Sequence, residues 1–257
     1  MTWSGQARWG PSWVSYRGPS SENTPHAHVA IQLVMSCTAQ PVAVHGEDGR
    51  SHEAAALAIR PLTRHAIESH PDVRILFIEP QAHLAMWLVH WLGDEKIAAL
   101  PRPISALLEA DVAIEHWPSA LASLSDIRTP DLDPRVVEAL KILAVEPQSS
   151  AIRRVAMEVG LSTSRLRTLV RDQLGVPLST WLVWRKLERT TLSLAQGCTM
   201  VSAALEGGFA DQAHFCRTMR RMFGITPHLV GRTLRGPDAV GAAPVTPAGE
   251  GQGPGRA

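Results

Sequence analysis

The stretch MVSAALEGGFADQAHFCRTMRRMFG (200–224) and the earlier stretch IRRVAMEVGLSTSRLRTLVRDQLG (152–175) share one grammar. Each opens with a short apolar-periodic segment ending in Gly. A polar capping residue follows, Asp211 in one and Ser162 in the other, and then a second periodic segment carrying Arg. A helix, a tight turn and a second helix, written twice, is the pattern of paired helix-turn-helix units. Between them, PLSTWLVWRKLERTTLSLAQG is opened by Pro177 and closed by Gly197, and it reads as one long helix. Its roughly 19 residues span about 28 Å at 1.5 Å per residue. That length suits two recognition helices held near one DNA turn apart, about 34 Å.

The periodicity assigns faces. A helix precedes the first unit over 135–145. Ser149 or Ser150 is expected to cap the next helix, which buries Ile152, Val155, Ala156 and Val159 and ends at Gly160. Beyond Ser162, Leu166, Leu169 and Val170 fall on one face, leaving Ser164, Arg165, Arg167 and Thr168 away from the core. In the second unit Phe215, Met219 and Met222 point inward, leaving Gln212, Ala213, His214 and Arg217. Exposed helix starts rich in Arg, Ser and polar groups suit contacts with base edges and phosphates in a major groove. Periodicity by itself fits a plain helical bundle equally well, and charge separates the two readings. Residues 131–235 carry 15 Lys+Arg against 9 Asp+Glu, a net of +6, whereas 1–130 carry 9 against 13, a net of −4. A positive balance confined to one half points to a polyanionic partner for that half. Trp181 and Trp184, on the long helix, read as core and not as a stacking platform.

The first half reads as strands and turns. HVAIQLVMSC (28–37), PVAVHG (41–46), AAALAIRP (54–61) and VRILFIEP (73–80) are β-rich runs bounded by Pro, Gly and Asp. Thr38-Ala39-Gln40 is placed to join the first two as a hairpin, and GEDGR (46–50) is a second turn. The pattern then turns helical: Leu84, Trp87, Leu88 and Trp91 recur at helical spacing up to Gly93, and a second helical pattern over 103–124 is broken at Pro118. SDIRTPDLDP (125–134) is short, polar and holds two prolines, which marks a linker. GPDAVGAAPVTPAGEGQGPGRA (236–257) has too few bulky apolar residues to build a core, so disorder is expected there. The expected organisation is α+β, with 1–125 an effector or dimerisation domain, 126–134 a linker, 135–235 the DNA-binding domain and 236–257 a tail.

AMEVGLSTSRL (156–166), GVPLSTWLVWRKLERT and above all GGFADQAHFCRTMRRMFGITP (207–227) resemble the DNA-binding domain of the AraC/XylS family of bacterial transcription regulators, over about 132–234. The resemblance implies a sequence-specific regulator that reads two successive major grooves of double-stranded DNA. Its first reading surface would be Ser164, Arg165, Arg167 and Thr168, and its second Gln212, Ala213, His214 and Arg217. Two positions depart from the family: Val170 stands where Phe is usual, and Glu206 ends a helix that is usually apolar or neutral there. In the first half, His26 and His28 form an HxH with Gln32 four residues on and His65 farther along, which resembles the cupin pattern of a small β-barrel. Such a sensing domain implies a small-molecule effector, with His26, His28, Gln32 and His65 as pocket residues. Gln32 replaces the usual carboxylate, so no metal or cofactor is assigned, and satisfied core histidines or a metal site stay open as the other readings.

Two further classes stand beside the regulator. One is a metal-dependent cupin enzyme fused to a DNA-binding domain, and the other a ligand-independent adaptor. Against the enzyme, no second carboxylate accompanies the histidines, and neither a G-x-S-x-G motif nor a glycine-rich phosphate loop occurs. Cys37, Cys198 and Cys216 have no disulfide or metal spacing, the N-terminus has no long apolar run, and nothing is long and apolar enough to span a bilayer. A cytoplasmic protein without membrane partners is therefore expected. The apolar segments 82–92 and 104–124 are candidates for a homodimer interface, with Trp87 and Trp91 placed in intramolecular packing. RNA polymerase would be a partner of an activator.

Overall fold

The computed structural model describes residues 3–110 and 131–230; most of the expected 103–124 pattern, the start of the linker and the tail lie outside the described residues. The first half comprises β1 (Gln6–Gly10), β2 (Trp13–Ser20), β3 (Ile31–Ser36), β4 (Val42–Gly46), β5 (Ser51–Ala54), β6 (Ala56–Ile59), β7 (His65–Ile67), β8 (His70–Ile78), α1 (His83–Leu92), β9 (Ile97–Ala99) and α2 (Arg102–Glu109). The strands form a six-stranded sheet in the order β1-β2-β8-β3-β6-β9 and a three-stranded sheet in the order β5-β4-β7. All of the paired strands run antiparallel.

Burial explains this sorting of strands. In β3, Ile31, Leu33 and Met35 pack with Leu76 and Ile78 of β8 against Leu84, Trp87, Leu88 and Leu92 of α1. The alternate residues Val34, Val73 and Ile75 face the other way, into a core that continues through the second half of the chain. A strand buried on both faces belongs in the middle of a sheet. β4 alternates between buried Val42 and Val44 and a largely exposed His45, as a strand with one wet face should. The expected 38–40 hairpin is therefore not formed. That connection crosses between sheets, and β4 makes its hairpin with β5 through 46–50 instead. β1 and β2 were not legible as strands. β1 is the edge strand and β2 lies between it and β8, and both bury few residues completely, Ala7 and Trp9 in β1 and Tyr16 and Ser20 in β2.

The second half is helical: α3 (Pro134–Val145), α4 (Ala151–Glu158), α5 (Thr163–Leu174), α6 (Leu178–Ala195), α7 (Met200–Glu206), α8 (Gln212–Phe223) and α9 (Pro227–Val230). Side-chain caps begin four of them: Asp133 accepts from Arg135 N, Ser162 from Arg165 N, Thr199 from Ser202 N and Asp211 from His214 N. The expected Ser149/Ser150 cap is absent. Ser150 already has helical dihedrals and makes no capping bond, and the first α4 amides, Ala151 and Ile152, donate to the carbonyls of Gln148 and Ser149. The apolar faces run as expected, with Ile152, Val155, Ala156, Leu166, Leu169, Val170, Phe215, Met219 and Met222 buried; Val159 is half-buried.

Candidate nucleic-acid interface and effector cavity

On α5, Ser164, Arg165, Arg167 and Thr168 are all exposed, and on α8 so are Gln212, Ala213, His214 and Arg217. The caps explain the presentation. Ser162 and Asp211 each satisfy an amide of the first turn, so both helices start cleanly with their polar residues outward. Among the described residues, no ion pair engages Arg165, Arg167 or Arg217, which leaves three guanidinium groups free for an anion. The His214 ring lies edge-on to Phe209 at 5.3 Å between centroids, which steadies it at the helix start. Glu206 is turned toward α6, where it accepts a hydrogen bond from Ser193.

The two halves meet in a polar seam that local sequence does not announce. Glu79, at the end of β8, is 1% exposed and receives hydrogen bonds from Trp184 Nε1 at 3.0 Å, from Arg185 Nη1 at 2.6 Å and from Gln81. Gln81 in turn accepts from Trp181 Nε1 at 3.0 Å. Trp181 and Trp184 are thus core residues, as expected, and their indole N–H groups also tie α6 to the β half. A second tie joins the segment before β3 to the end of α8: Thr24 N donates to the Gly224 carbonyl at 3.0 Å, and Asn23 Nδ2 to the Phe223 carbonyl at 3.3 Å. Arg185 Nη1 also lies 2.6 Å from Glu188 Oε2, but without hydrogen-bond geometry, and Glu188 Oε2 has no other partner. Burial pushes the Glu188 carboxyl up to about 8; the neighbouring Glu79 charge adds to this and Arg185 opposes it.

Beside the seam lies a cavity of about 120 Å³, counted as the space open to the centre of a water-sized sphere. One water needs roughly 10–15 Å³ on that measure, so there is room for a small organic molecule. Its walls come from both halves, with Trp3, Trp9, Tyr16 and Phe77 from the β half and Trp184 and Phe223 from α6 and α8. Phe77, Trp184 and Phe223 form a ring cluster with centroids 5.5–6.0 Å apart. The Tyr16 hydroxyl is committed, donating to the Pro19 carbonyl at 2.6 Å and accepting from Gly5 N at 3.1 Å.

All four sequence-predicted pocket residues, His26, His28, Gln32 and His65, come together, and His26 and Gln32 line the cavity itself. Each imidazole Nδ1 faces a backbone carbonyl, of Thr24, Ala30 and Thr63 respectively, at 2.9–3.0 Å. A carbonyl only accepts, so each Nδ1 carries the proton. Burial is the main cause that keeps the rings neutral, lowering His26 to about 2, His28 to about 4 and His65 to about 3. The Nε2 atoms of His28 and His65 are then lone pairs, and the Gln32 amide lies 2.9 and 3.0 Å from them. Two lone pairs call for a donor, so we assign the amide with its NH₂ group toward both rings. A carboxylate could not serve two neutral imidazoles in this way, which accounts for Gln at the position. The three imidazoles offer ligand atoms within 4.8 Å of one another, yet hydrogen bonds alone close the His28–Gln32–His65 part of the network. Sequence reasoning missed Glu79, Arg185, Glu188 and the aromatic wall. The one signal available was an acid, Glu188, four and seven positions from Trp184 and Trp181 on a single helical stripe.

A family described as "Helix-turn-helix domain" matches residues 155–232. The arabinose operon regulatory proteins of Escherichia coli and Salmonella typhimurium are 30% and 31% identical over 112 residues. These matches cover 42% of this chain, and 38% and 39% of those proteins. The chain thus spans about two fifths of the length of the curated relatives it matches. ToxT from Vibrio cholerae superposes with TM-scores of 0.55 and 0.58 in two crystal structures, at 13% and 12% identity. Those superpositions cover 87% and 86% of this chain, and 99% and 98% of ToxT. A further ToxT structure, at TM-score 0.54 and 11% identity over 86% of this chain and 96% of ToxT, is of the unsaturated fatty acid bound protein. The chain therefore shares one fold with ToxT across both halves, a β-rich domain followed by a helical one. Its helix-turn-helix half is similar in sequence to that of the arabinose operon regulatory proteins. Among the described residues no helix is long and apolar enough to cross a membrane.

Proposed function

We propose that the protein is a sequence-specific transcription regulator in which α5 and α8 read successive major grooves of double-stranded DNA. The observation that carries this reading is the pair of capped helix starts. Each buries its apolar face and presents an unpaired arginine among small polar residues, within the half that holds the net positive charge. Arg165 and Arg217 are the base-reading candidates. Ser164, Arg167, Thr168, Gln212, Ala213 and His214 position the helices or contact neighbouring bases. In a gel-shift series on the full chain, Arg165→Ala and Arg217→Ala should each weaken specific binding by about 1–3 kcal/mol. Equal losses on specific and scrambled duplexes would reassign them to phosphates.

The first half, cupin-like in layout, acts as the effector domain, and the cavity between the halves is its ligand site. His26 and Gln32 face the ligand, while His28 and His65 hold Gln32 in place. A fatty acid bound to ToxT, a protein of the same fold, supports control of this architecture by a small molecule. A homodimer formed through the first half, recruitment of RNA polymerase by an activator and a cytoplasmic setting complete the reading.

A further inference from the structure

In the seam, two buried carboxylates face one guanidinium. Glu79 is fully engaged, with Arg185 at 2.6 Å, Trp184 Nε1 at 3.0 Å and Gln81 all donating to it. The same Arg185 Nη1 lies 2.6 Å from Glu188 Oε2, so one guanidinium faces two acids and one negative charge is in excess; the Glu188 oxygen is buried and lacks a hydrogen-bond partner. Glu188 lines the cavity. We propose that the cavity takes a lipophilic organic cation, for which Glu188 is the counter-ion and the aromatic wall the cradle. This rests on the effector-cavity reading above and adds the charge of the ligand.

Three features of the wall point the same way. Among the described residues no Lys or Arg lines the cavity, so an anion would meet an acid and find no cationic partner. His26 contributes only its Nε2 lone pair, because its Nδ1 proton is held by the Thr24 carbonyl. Phe77, Trp184 and Phe223 cluster there, and Trp184 sits one helical turn before Glu188 on the same face of α6. A cation over aromatic faces is attracted by their quadrupoles, and more strongly in a desolvated site. Glu188, held protonated by its burial in the free protein, would ionise beside such a ligand and complete a seam of two acids and two cations. A neutral apolar molecule would gain the burial but offer Glu188 no counter-charge.

The test uses the full chain and three probes of matched shape: benzyltrimethylammonium, its uncharged carbon counterpart neopentylbenzene, and phenylacetate. Quenching of tryptophan fluorescence reads binding. The cation should bind roughly tenfold or more tightly than either of the others, and Glu188→Gln, which keeps the Arg185–Glu79 pair, should abolish that preference while neopentylbenzene binding persists. If neopentylbenzene matches the cation, if phenylacetate binds best, or if Glu188→Gln keeps the preference, the cation proposal is wrong and the effector cavity stands. If none of the three binds the wild-type protein, the cavity reading itself fails and this proposal with it. The wild-type comparison needs no variant, so it decides the matter even if Glu188→Gln does not fold.

Discussion

Two glycines provide a controlled measure of the contact between the halves. Gly175 and Gly224 end α5 and α8 with nearly identical left-handed dihedrals, φ 70° with ψ 5° and φ 70° with ψ 4°. Alanine at either position meets the same backbone penalty, about 1–2 kcal/mol. Their surroundings differ. A Cβ on Gly175 would meet nothing within 4 Å, whereas one on Gly224 would come within 2.2 Å of the Thr24 carbonyl oxygen and 2.9 Å of His26 Nδ1. Backbone cannot yield at 2.2 Å without opening the contact. Opening it removes the Thr24 N–H bond to Gly224, the Thr24 hydroxyl bond to the same carbonyl and the Asn23 amide bond to Phe223. At a net of about 1 kcal/mol each, these add roughly 2–3 kcal/mol. Gly175→Ala should therefore cost about 1–2 kcal/mol and Gly224→Ala about 3–5. Urea unfolding of the full chain followed by tryptophan fluorescence measures both, since Trp181 and Trp184 sit in the seam. Equal losses in the two variants would refute the claim that the Thr24–Gly224 contact holds the halves together.

Two other expectations follow from buried polar groups. Trp184→Phe keeps the ring but removes the N–H that serves the Glu79 carboxylate, and should cost about 1.5–3 kcal/mol in the same urea assay; a loss below the error of the method would mean that the bond is not made. His26, His28 and His65 are held neutral when folded but titrate near 6.5 when unfolded, so their stability is complete above pH 6.5 and is lost below it as the unfolded chain takes up protons, by about 1.4 kcal/mol per pH unit for each ring. Glu188 is shifted up and works in the opposite sense, gaining stability as pH falls, so Glu188→Gln should show the histidine effect unopposed; a melting temperature that does not fall between pH 7 and 5.5 in that variant would show that the three rings are not buried neutral.

The helical half was legible because its determinants are local. Caps at Ser162 and Asp211, glycine ends at 175 and 224 and a 3.6-residue apolar period all lie within a dozen residues of the helix they specify. Exposure of Arg165 and Arg217 follows from the same period. The β half was legible only in part, since β3, β6 and β8 are apolar runs but their partners are set by burial on two faces. That property belongs to the assembled sheet. The histidine cluster could be read as a set, yet the role of Gln32 could not. In sequence it stands as a weak ligand in a carboxylate position; in three dimensions it is the donor that two imidazole lone pairs require. The seam was hidden most completely. Glu79 is about a hundred residues from Trp184 and Arg185, and in the sequence it looks like an ordinary strand end, just as Glu188 looks like part of a solvated RKLER face.

The placement of the cavity suggests how a ligand would reach both of the helices proposed to read DNA at once. Phe223 is the last residue of α8, immediately before the carbonyl that holds Thr24, so a molecule packed on its ring bears on the end of the second reader. Trp184, Leu187, Glu188 and Thr191 line the cavity from α6, the helix that joins the first reader to the second. His26 donates to the carbonyl of Thr24, whose amide donates to Gly224, so the histidine wall touches the same contact from the β side. A ligand there can therefore act in two ways. It can fix the α6–α8 geometry that sets the separation of the readers, or it can wedge the Thr24–Gly224 contact and release them. Only differential affinity for the two arrangements moves the balance, and 1–3 kcal/mol of it would shift DNA affinity by about 5–150-fold. The hydrogen bonds of the Thr24–Gly224 contact contribute roughly 2–3 kcal/mol, energy of that order, so one well-placed side of a small molecule would be enough to tip it.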